Sequence, residues 1–391
     1  MTRQSMRDAL IIDAVRSPIG KRNGTLASVR ADELAAQVLT RLVERLDLDP
    51  GTIEDIQMGC VSQVGEQALN VGRVASLIAG WPETVCATTV DRQCGSSMQA
   101  AMNAASAIQA GHLDLVVAAG VENMSRVPMG SNLGEAGWSG LSEKLFEKWQ
   151  IVPQGISAEV IAEEWGLSRE ALDAYSYESH VRAVRAIDQG RFENEIVPVE
   201  VSNPHVGVLF SVDETPRRET SPEQMAALTP VFKEDGVVTA GNSSQIVDGS
   251  AAMLVASEER ASALGLAPRA RFVSFGLAGV DPYRMLHGNP EACDRALVHA
   301  GLSWDDMAVI EVNEAFASVV LQFVKDTGLE DRMEDVNPNG GGISLGHPLG
   351  ATGARITATL LNELDRREAR YGIATMCIGQ GQAIAAVIER L

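Results

Sequence analysis

Short apolar runs rich in β-branched residues alternate with stretches of helical period along most of this chain, and that alternation constrains the fold more than any other feature. Strand-like runs fall at residues 9–15, 53–61, 84–90 and 113–119; helical spacing covers 31–46, 71–79 and a segment after residue 94 that stops at Gly111. Such an order implies a parallel sheet covered by helices on both faces. The alternation lapses between residues 120 and 240, which hold one long helical pattern (158–189) and a polar turn region (203–222), and strand character returns at 251–256. It then resumes: strands at 270–275, 308–312, 335–337, 373–377 and 383–388, with helices at 292–300, 314–325 and 354–364. The two halves share an order of elements, and residues 241–256 echo 372–388, as an internal duplication would. The lapse reads as an insertion over the site.

The chain of 391 residues, 45% hydrophobic, is long enough for a large core in two or three domains. Its 36 glycines and 4% aromatic content suit tight helix-sheet packing and close backbone approach to a ligand. Lys and Arg number 32 against 52 Asp and Glu, a net −20, which argues against nucleic acid or an anionic membrane as partner. A small anionic ligand in a local basic patch is still compatible. The five cysteines (Cys60, Cys86, Cys94, Cys293, Cys377) lack the spacing of a disulfide or zinc framework and suit a reducing compartment. No signal-peptide core, apolar run of about 20 residues or C-terminal Ser-Lys-Leu is present, so the expected location is the cytoplasm.

Four stretches carry candidate chemistry. In Gln93-Cys94-Gly95-Ser96 a cysteine follows a run expected to be a buried strand (84–90) and precedes a helix marked by Met98, Ala101, Met102, Ala105 and Ile108. Unpaired N–H groups and the positive helix end there favour thiolate over thiol, so Cys94 is the candidate nucleophile; an inert core cysteine is the alternative. In Asn313-Glu314-Ala315-Phe316 the Asn313 amide fits either a donor to a developing oxyanion or a helix N-cap. His347, held between Gly346 and Pro348 in a glycine-rich loop without a phosphate-loop ending, has the most constrained setting of the six histidines (His112, His180, His205, His287, His299, His347). Cys377-Ile378-Gly379 ends a strand at a glycine turn, where Gly379 lets its N–H approach an oxyanion and Cys377 is either a second reactive thiol or a core residue. Residues 16–24, dense in Pro and Gly, read as a surface loop.

Taken together, Gln93-Cys94-Gly95-Ser96, Asn313-Glu314-Ala315-Phe316, Gly346-His347-Pro348-Leu349-Gly350 and Cys377-Ile378-Gly379 resemble the thiolase family, the CoA-dependent acyltransferases that cleave or form 3-ketoacyl-CoA, from Arg16 to the C-terminus. The resemblance implies duplicated βαβαβαββ halves with parallel-rich mixed sheets, layered α/β/α/β/α. Residues 1–120 with 240–268 would form the N-terminal half, 121–239 an inserted loop domain covering the CoA site, and 269–391 the C-terminal half. It also implies roles: Cys94 as nucleophile, His347 as its base, Cys377 as the acid that protonates the departing enolate. His347 with an Asn313-held water would serve one oxyanion, and the N–H groups of Cys94 and Gly379 the other.

By the same resemblance Arg217, beside Arg218, falls at a basic position near the nucleotide, Phe232 at an aromatic position near the adenine, and Ser244, Met285, Ala315 and Phe316 at pantetheine or acyl positions. A solvated loop face is the other reading of the two arginines. CoA enters as a substrate, with no metal or redox cofactor, and a homodimer or homotetramer is expected. Two departures stand out. Gln380 occupies a position that is glycine in many thiolases, and Pro153-Gln154-Gly155 replaces the His-Met-Gly usual in short-chain members. The first would strain its turn if the position needs φ > 0, and the second stands against short-chain specificity. Gly65-Glu66-Gln67 and the lead-in to Cys94 lean toward degradative thiolysis, including of CoA-linked steroid side chains. A biosynthetic acetoacetyl-CoA thiolase and a non-catalytic acyl-CoA-binding protein of the same fold are the alternatives. A ketoacyl synthase, which uses one cysteine and two histidines, fits the Cys377 and Asn313 motifs poorly.

Overall fold

A computed structural model describes residues 7–203 and 206–391, so His205 lies outside the described residues. The chain runs β1 (Leu10–Arg16), β2 (Gly20–Lys21), α1 (Ala31–Arg45), β3 (Asp55–Gly59), α2 (Val71–Ile78), β4 (Cys86–Val90), α3 (Ser96–Gln109) and β5 (Leu115–Asn123). Next come α4 (Glu143–Lys148), α5 (Gln154–Glu164), α6 (Arg169–Asp188), β6 (Val199–Asn203), β7 (Val206–Phe210) and α7 (Pro222–Ala226). The rest is β8 (Val247–Ala256), α8 (Glu258–Ala263), β9 (Ala270–Gly279), α9 (Asn289–Ala300), β10 (Met307–Val312), α10 (Ala317–Thr327), α11 (Thr352–Arg367), β11 (Tyr371–Ile378) and β12 (Gln382–Arg390).

The large sheet has the order β10-β11-β12-β9-β1-β8-β5-β3-β4, with β2 on β8. Its two halves meet at a narrow seam, where β1 pairs with β9 only through Leu10↔Arg271 and Ile11↔Ala270. The sheet is mixed, but parallel pairing is confined to β4-β3-β5 and to β10-β11, so the expected parallel-rich character gives way to mainly antiparallel neighbours. The reason is local for β11 and β12, which are joined by a short turn and need no crossover helix.

Side-chain periodicity sets the layers. On α1 and α2, Leu34, Val38, Leu42 and Ala75 pack on Ile56, Met58 and Val117 of one half-sheet. On α9 and α10, Ala296, Val320 and Phe323 pack on Ile310, Ile373 and Ala385 of the other. Between the half-sheets lie α3 and α11, whose Met98, Ala105, Ala358 and Leu361 share one core with Val116, Met253, Met376 and Ile384. The result is the layered α/β/α/β/α arrangement.

Close approach in the middle layer needs glycine. A Cβ on Gly353 of α11 would lie 2.3 Å from the backbone N of Met98 on α3, and one on Gly120 would lie 2.2 Å from the Gly350 carbonyl. The N-terminal ends of the two central helices are therefore pressed together, which brings together the segments that precede them.

Several expectations need correction. Strand β4 is an edge strand with Cys86 exposed, not a buried strand, because nothing pairs beyond it among the described residues. The helical pattern at 158–189 is two helices, α5 and α6, broken at Gly166 with φ +61°, after which the Ser168 side chain caps α6. The turn region opens with strands β6 and β7 paired as a hairpin. Residues 335–337 make only a single bridge, Val336 to Ile310. The helix expected from residue 314 begins at Ala317.

The segment read as a surface loop at residues 16–24 is buried over its first five residues. Arg16 there binds Asp213 through both terminal nitrogens at 2.7 and 2.8 Å and Glu195 at 2.6 Å, with its guanidinium 5.0 Å from the ring centroid of Phe192. This buried cluster ties β1 to the segment that follows α6. Breaking a buried ion pair from one side strands the other charges, so Arg16→Met is expected to lower unfolding free energy by about 3–5 kcal/mol. Denaturant titration measures it, and a loss below about 1 kcal/mol would show that the cluster is not holding the segment.

Candidate active site

Cys94 sits at the crest of a tight turn between β4 and α3. Gly95 N–H donates to the Arg92 carbonyl at 3.0 Å, Ser96 N–H to Gln93 at 3.0 Å, and Ser96 Oγ to the same Gln93 carbonyl at 2.6 Å. The turn forces Gln93 to φ +45°, a left-handed conformation that a non-glycine residue adopts only when its surroundings impose it. Cys94 is 5% exposed. Burial pushes the thiol up to about 11, helped by the Glu122 carboxylate and opposed by the nearby Gln154 side-chain amide, the Gly379 N–H and its own N–H. The N–H groups there do act toward thiolate, as expected, but in the free site burial outweighs them. Removing the proton calls for a base.

His347 offers an unprotonated ring nitrogen for the task. Thr352 Oγ1 donates to the Pro348 carbonyl at 2.9 Å, so its lone proton is committed and it can only accept from His347 Nδ1, 2.6 Å away. This network assigns the ring proton to Nδ1 and leaves Nε2 unprotonated, accepting from Asn313 Nδ2 at 3.3 Å. Burial, then the Arg355 charge, push the imidazolium down to about 3, so the ring is neutral at working pH.

Asn313 follows β10, and its backbone N–H donates to the Thr375 carbonyl at 2.9 Å. It is not a helix N-cap, since α10 starts at Ala317 after Phe316. Its amide oxygen is buried without a hydrogen-bond partner, an acceptor open to something brought into the site. The neighbouring Glu314 carboxylate is buried and accepts from Tyr175 at 2.6 Å, Ser179 at 2.7 Å and the Ile343 N–H at 3.0 Å, fastening the Asn313 loop to α6 and to the glycine loop.

Cys377, near the end of β11, is fully buried, and burial followed by proximity to Cys94 holds its thiol far above the usual cysteine range. It is therefore a protonated group beside the nucleophile. A Cβ on Gly379 would lie 2.2 Å from Gln93 Oε1, so a side chain there would push the Gln93 amide aside. Gln380 does adopt φ +63°, ahead of Gly381 at +82°, so the departure from glycine stores strain of about 1–3 kcal/mol in the turn.

Met285, Ala315 and Phe316 join Cys377 in one buried apolar cluster. Ser244 N–H donates to the Ala315 carbonyl at 2.9 Å, and Phe232 meets Phe316 edge-on with centroids 6.0 Å apart. Arg217 lies apart from that cluster: it is exposed and lines a surface cavity of about 360 Å3 with His180, Tyr177, Arg185 and Arg218. Arg218 is paired with Asp188 at 2.7 Å. The sequence reading missed Glu314, Thr352 and, as a contact of the sulfur, Gln154. Thr352, five residues past His347, offered the only local signal. Among the described residues no cluster of His, Cys, Asp and Glu could hold a metal ion, and no helix is long and apolar enough to cross a membrane.

Comparison with known proteins identifies the frame. Residues 9–259 match the thiolase N-terminal domain and residues 266–390 the thiolase C-terminal domain. The chain belongs to the thiolase family. It is 46% identical to a 3-ketoacyl-CoA thiolase of Photobacterium profundum, covering 99% of this chain and 100% of that one. It is also 46% identical to the steroid 3-ketoacyl-CoA thiolase FadA6 of Mycobacterium tuberculosis (99% and 95% covered). The structure of an acetyl-CoA acetyltransferase from Bacillus anthracis superposes with a TM-score of 0.91 at 41% identity, covering 99% of both chains. This thiolase is accordingly an acyltransferase.

The Thr352 hydroxyl fixes which nitrogen of the base is free. Thr352→Val is expected to lower kcat on the order of tenfold with KM for CoA little changed, while Thr352→Ser retains activity. Steady-state kinetics check this, and a valine variant with unaltered kcat would remove the tautomer lock from the account.

Proposed function

We propose that this thiolase cleaves 3-ketoacyl-CoA with free CoA, giving acetyl-CoA and an acyl-CoA two carbons shorter. What carries the reading is a buried Cys94 sulfur whose thiol is eased by the nearby N–H groups of Cys94 and Gly379 and that stands beside a second protonated thiol, Cys377. His347 Nε2 takes the Cys94 proton, and the thiolate attacks C3 of the substrate. The N–H groups of Cys94 and Gly379 receive the C3 oxyanion. The C2–C3 bond then breaks, leaving the acyl group on Cys94 and the electron pair in the enolate of acetyl-CoA.

That enolate oxygen faces the His347 imidazolium and a water held by the free Asn313 oxygen. Cys377 gives its proton to the enolate carbon. In the second half the CoA thiol returns a proton to Cys377 and its sulfur attacks the acyl carbon. Cys94 leaves and recovers its proton from His347, so every group ends as it began. CoA is a substrate here, and the residues supply the chemistry without a metal or redox cofactor.

The surface cavity lined by Arg185 and Arg217 offers cationic groups to the CoA phosphates, and Phe232, Ser244, Met285, Ala315 and Phe316 are its proposed further contacts. The names of the relatives support a degradative role on fatty or steroidal acyl-CoA. Five free cysteines support a reducing, cytoplasmic setting. Exposed Leu77 and Ile78 of α2, next to the unpaired edge of β4, support a homodimer or dimer of dimers.

Purified protein given CoA and 3-ketoacyl-CoAs with short, long and steroidal acyl groups is expected to form acetyl-CoA with at least one of them. Cys94→Ser should lower turnover on the order of 10^4-fold or more. Protein that binds CoA yet turns over none of the panel would be an acyl-CoA-binding member of the fold.

A further inference from the structure

Gln154 is the residue of the Pro153-Gln154-Gly155 departure that the reaction sequence leaves unused. It opens α5 right after Pro153, and its side-chain amide stands beside Cys94, where it works against the rise of the thiol that burial causes. Gln154 Nε2 lies 3.3 Å from the point a Cβ on Gly379 would occupy, so it stands beside the backbone donor that serves the same sulfur. The helix that carries it is fixed: buried Glu159 accepts from the Val237 and Val238 N–H groups at 2.8 and 2.9 Å, and Ala158 and Ile161 pack in the cluster that contains Cys377. Gln154 is thus placed on a rigid element and aimed at a reacting atom.

The sulfur needs such a donor. Glu122 on β5 disfavours negative charge on it, Cys377 on β11 offers a neutral thiol, and His347 ahead of α11 is neutral until it takes the proton. The N–H groups of Cys94 and Gly379 are the same ones the substrate oxygen will claim. We propose that Gln154 is a catalytic residue of this chain, its amide N–H holding the Cys94 thiolate while the two backbone donors turn to the substrate oxygen. This role rests on the thiolase reading of the site.

The test is iodoacetamide alkylation of the substrate-free enzyme as a function of pH, read on the Cys94 peptide by mass spectrometry because the exposed Cys86 is alkylated too. It is run on unaltered protein, on Gln154→Met, which keeps length without a donor, and on the isosteric Gln154→Glu, which replaces the donor by a charge. The midpoint of alkylation is expected to move to higher pH in both variants, further in the glutamate one. Alkylation at neutral pH and kcat for thiolysis should each fall about 10- to 100-fold, with KM for CoA and the melting temperature near those of the unaltered protein. Wild-type alkylation and kcat in the methionine variant would overturn the role and leave Gln154 a pocket-shaping residue. Alkylation needs no acyl-CoA, so a missing contrast there overturns the donor, whereas no thiolysis by unaltered protein overturns the function beneath it.

Discussion

The meeting of the N-terminal ends of α3 and α11 is the contact on which the rest of this structure depends. Ser97 Oγ of α3 accepts from the Ala354 N–H of α11 at 2.9 Å, and Gly353 leaves no room for a Cβ against Met98. The nucleophile turn ends where α3 begins, and the histidine loop ends where α11 begins. One helix comes from each half of the chain, so docking them assembles a site that neither half contains. The small residues Ala100, Ala101, Ala104 and Ala105 of α3 make that depth of packing available.

Two buried carboxylates hold the loops around this contact. Glu122 accepts from the N–H groups of Val61, Ser62 and Gly350 and from Gln67, and so fastens the histidine loop to β5 and to the segment after β3. Glu314 does the same for the Asn313 loop through Tyr175, Ser179 and Ile343. An isolated buried carboxylate is costly, and three or four donors offset the cost only when all are in place. Each therefore acts as a geometric lock, so a slipped loop would leave a charge unsatisfied. The same low-polarity surroundings keep both active-site thiols protonated and the histidine neutral, so charge is created only when substrate is present to share it.

Much of this was legible in the residues. The alternation of strands and helices, the four motif blocks and their order, and the special character of Gly379 and Gln380 are local features. What was hidden depends on residues far apart. Arg16 lies in a Pro- and Gly-dense stretch that reads as surface, and its burial is decided by Asp213, 197 positions away. The helix start was expected to ease the Cys94 thiol toward thiolate, with a base still needed, yet burial, which sequence spacing does not encode, outweighs the nearby donors. The break between α5 and α6 rests on one left-handed glycine in an otherwise continuous helical pattern. Gln154 was visible as a departure from a motif, but its contact with the sulfur follows from the placement of α5.

The central claim is that Cys94 carries the acyl group between two CoA molecules. Mass spectrometry of the protein mixed with a 3-ketoacyl-CoA in the absence of free CoA tests it most directly. The account predicts release of acetyl-CoA and an acyl adduct on the Cys94 peptide that disappears when CoA is added. Acetyl-CoA released with Cys94 unmodified, or an adduct on Cys377 in its place, would contradict it.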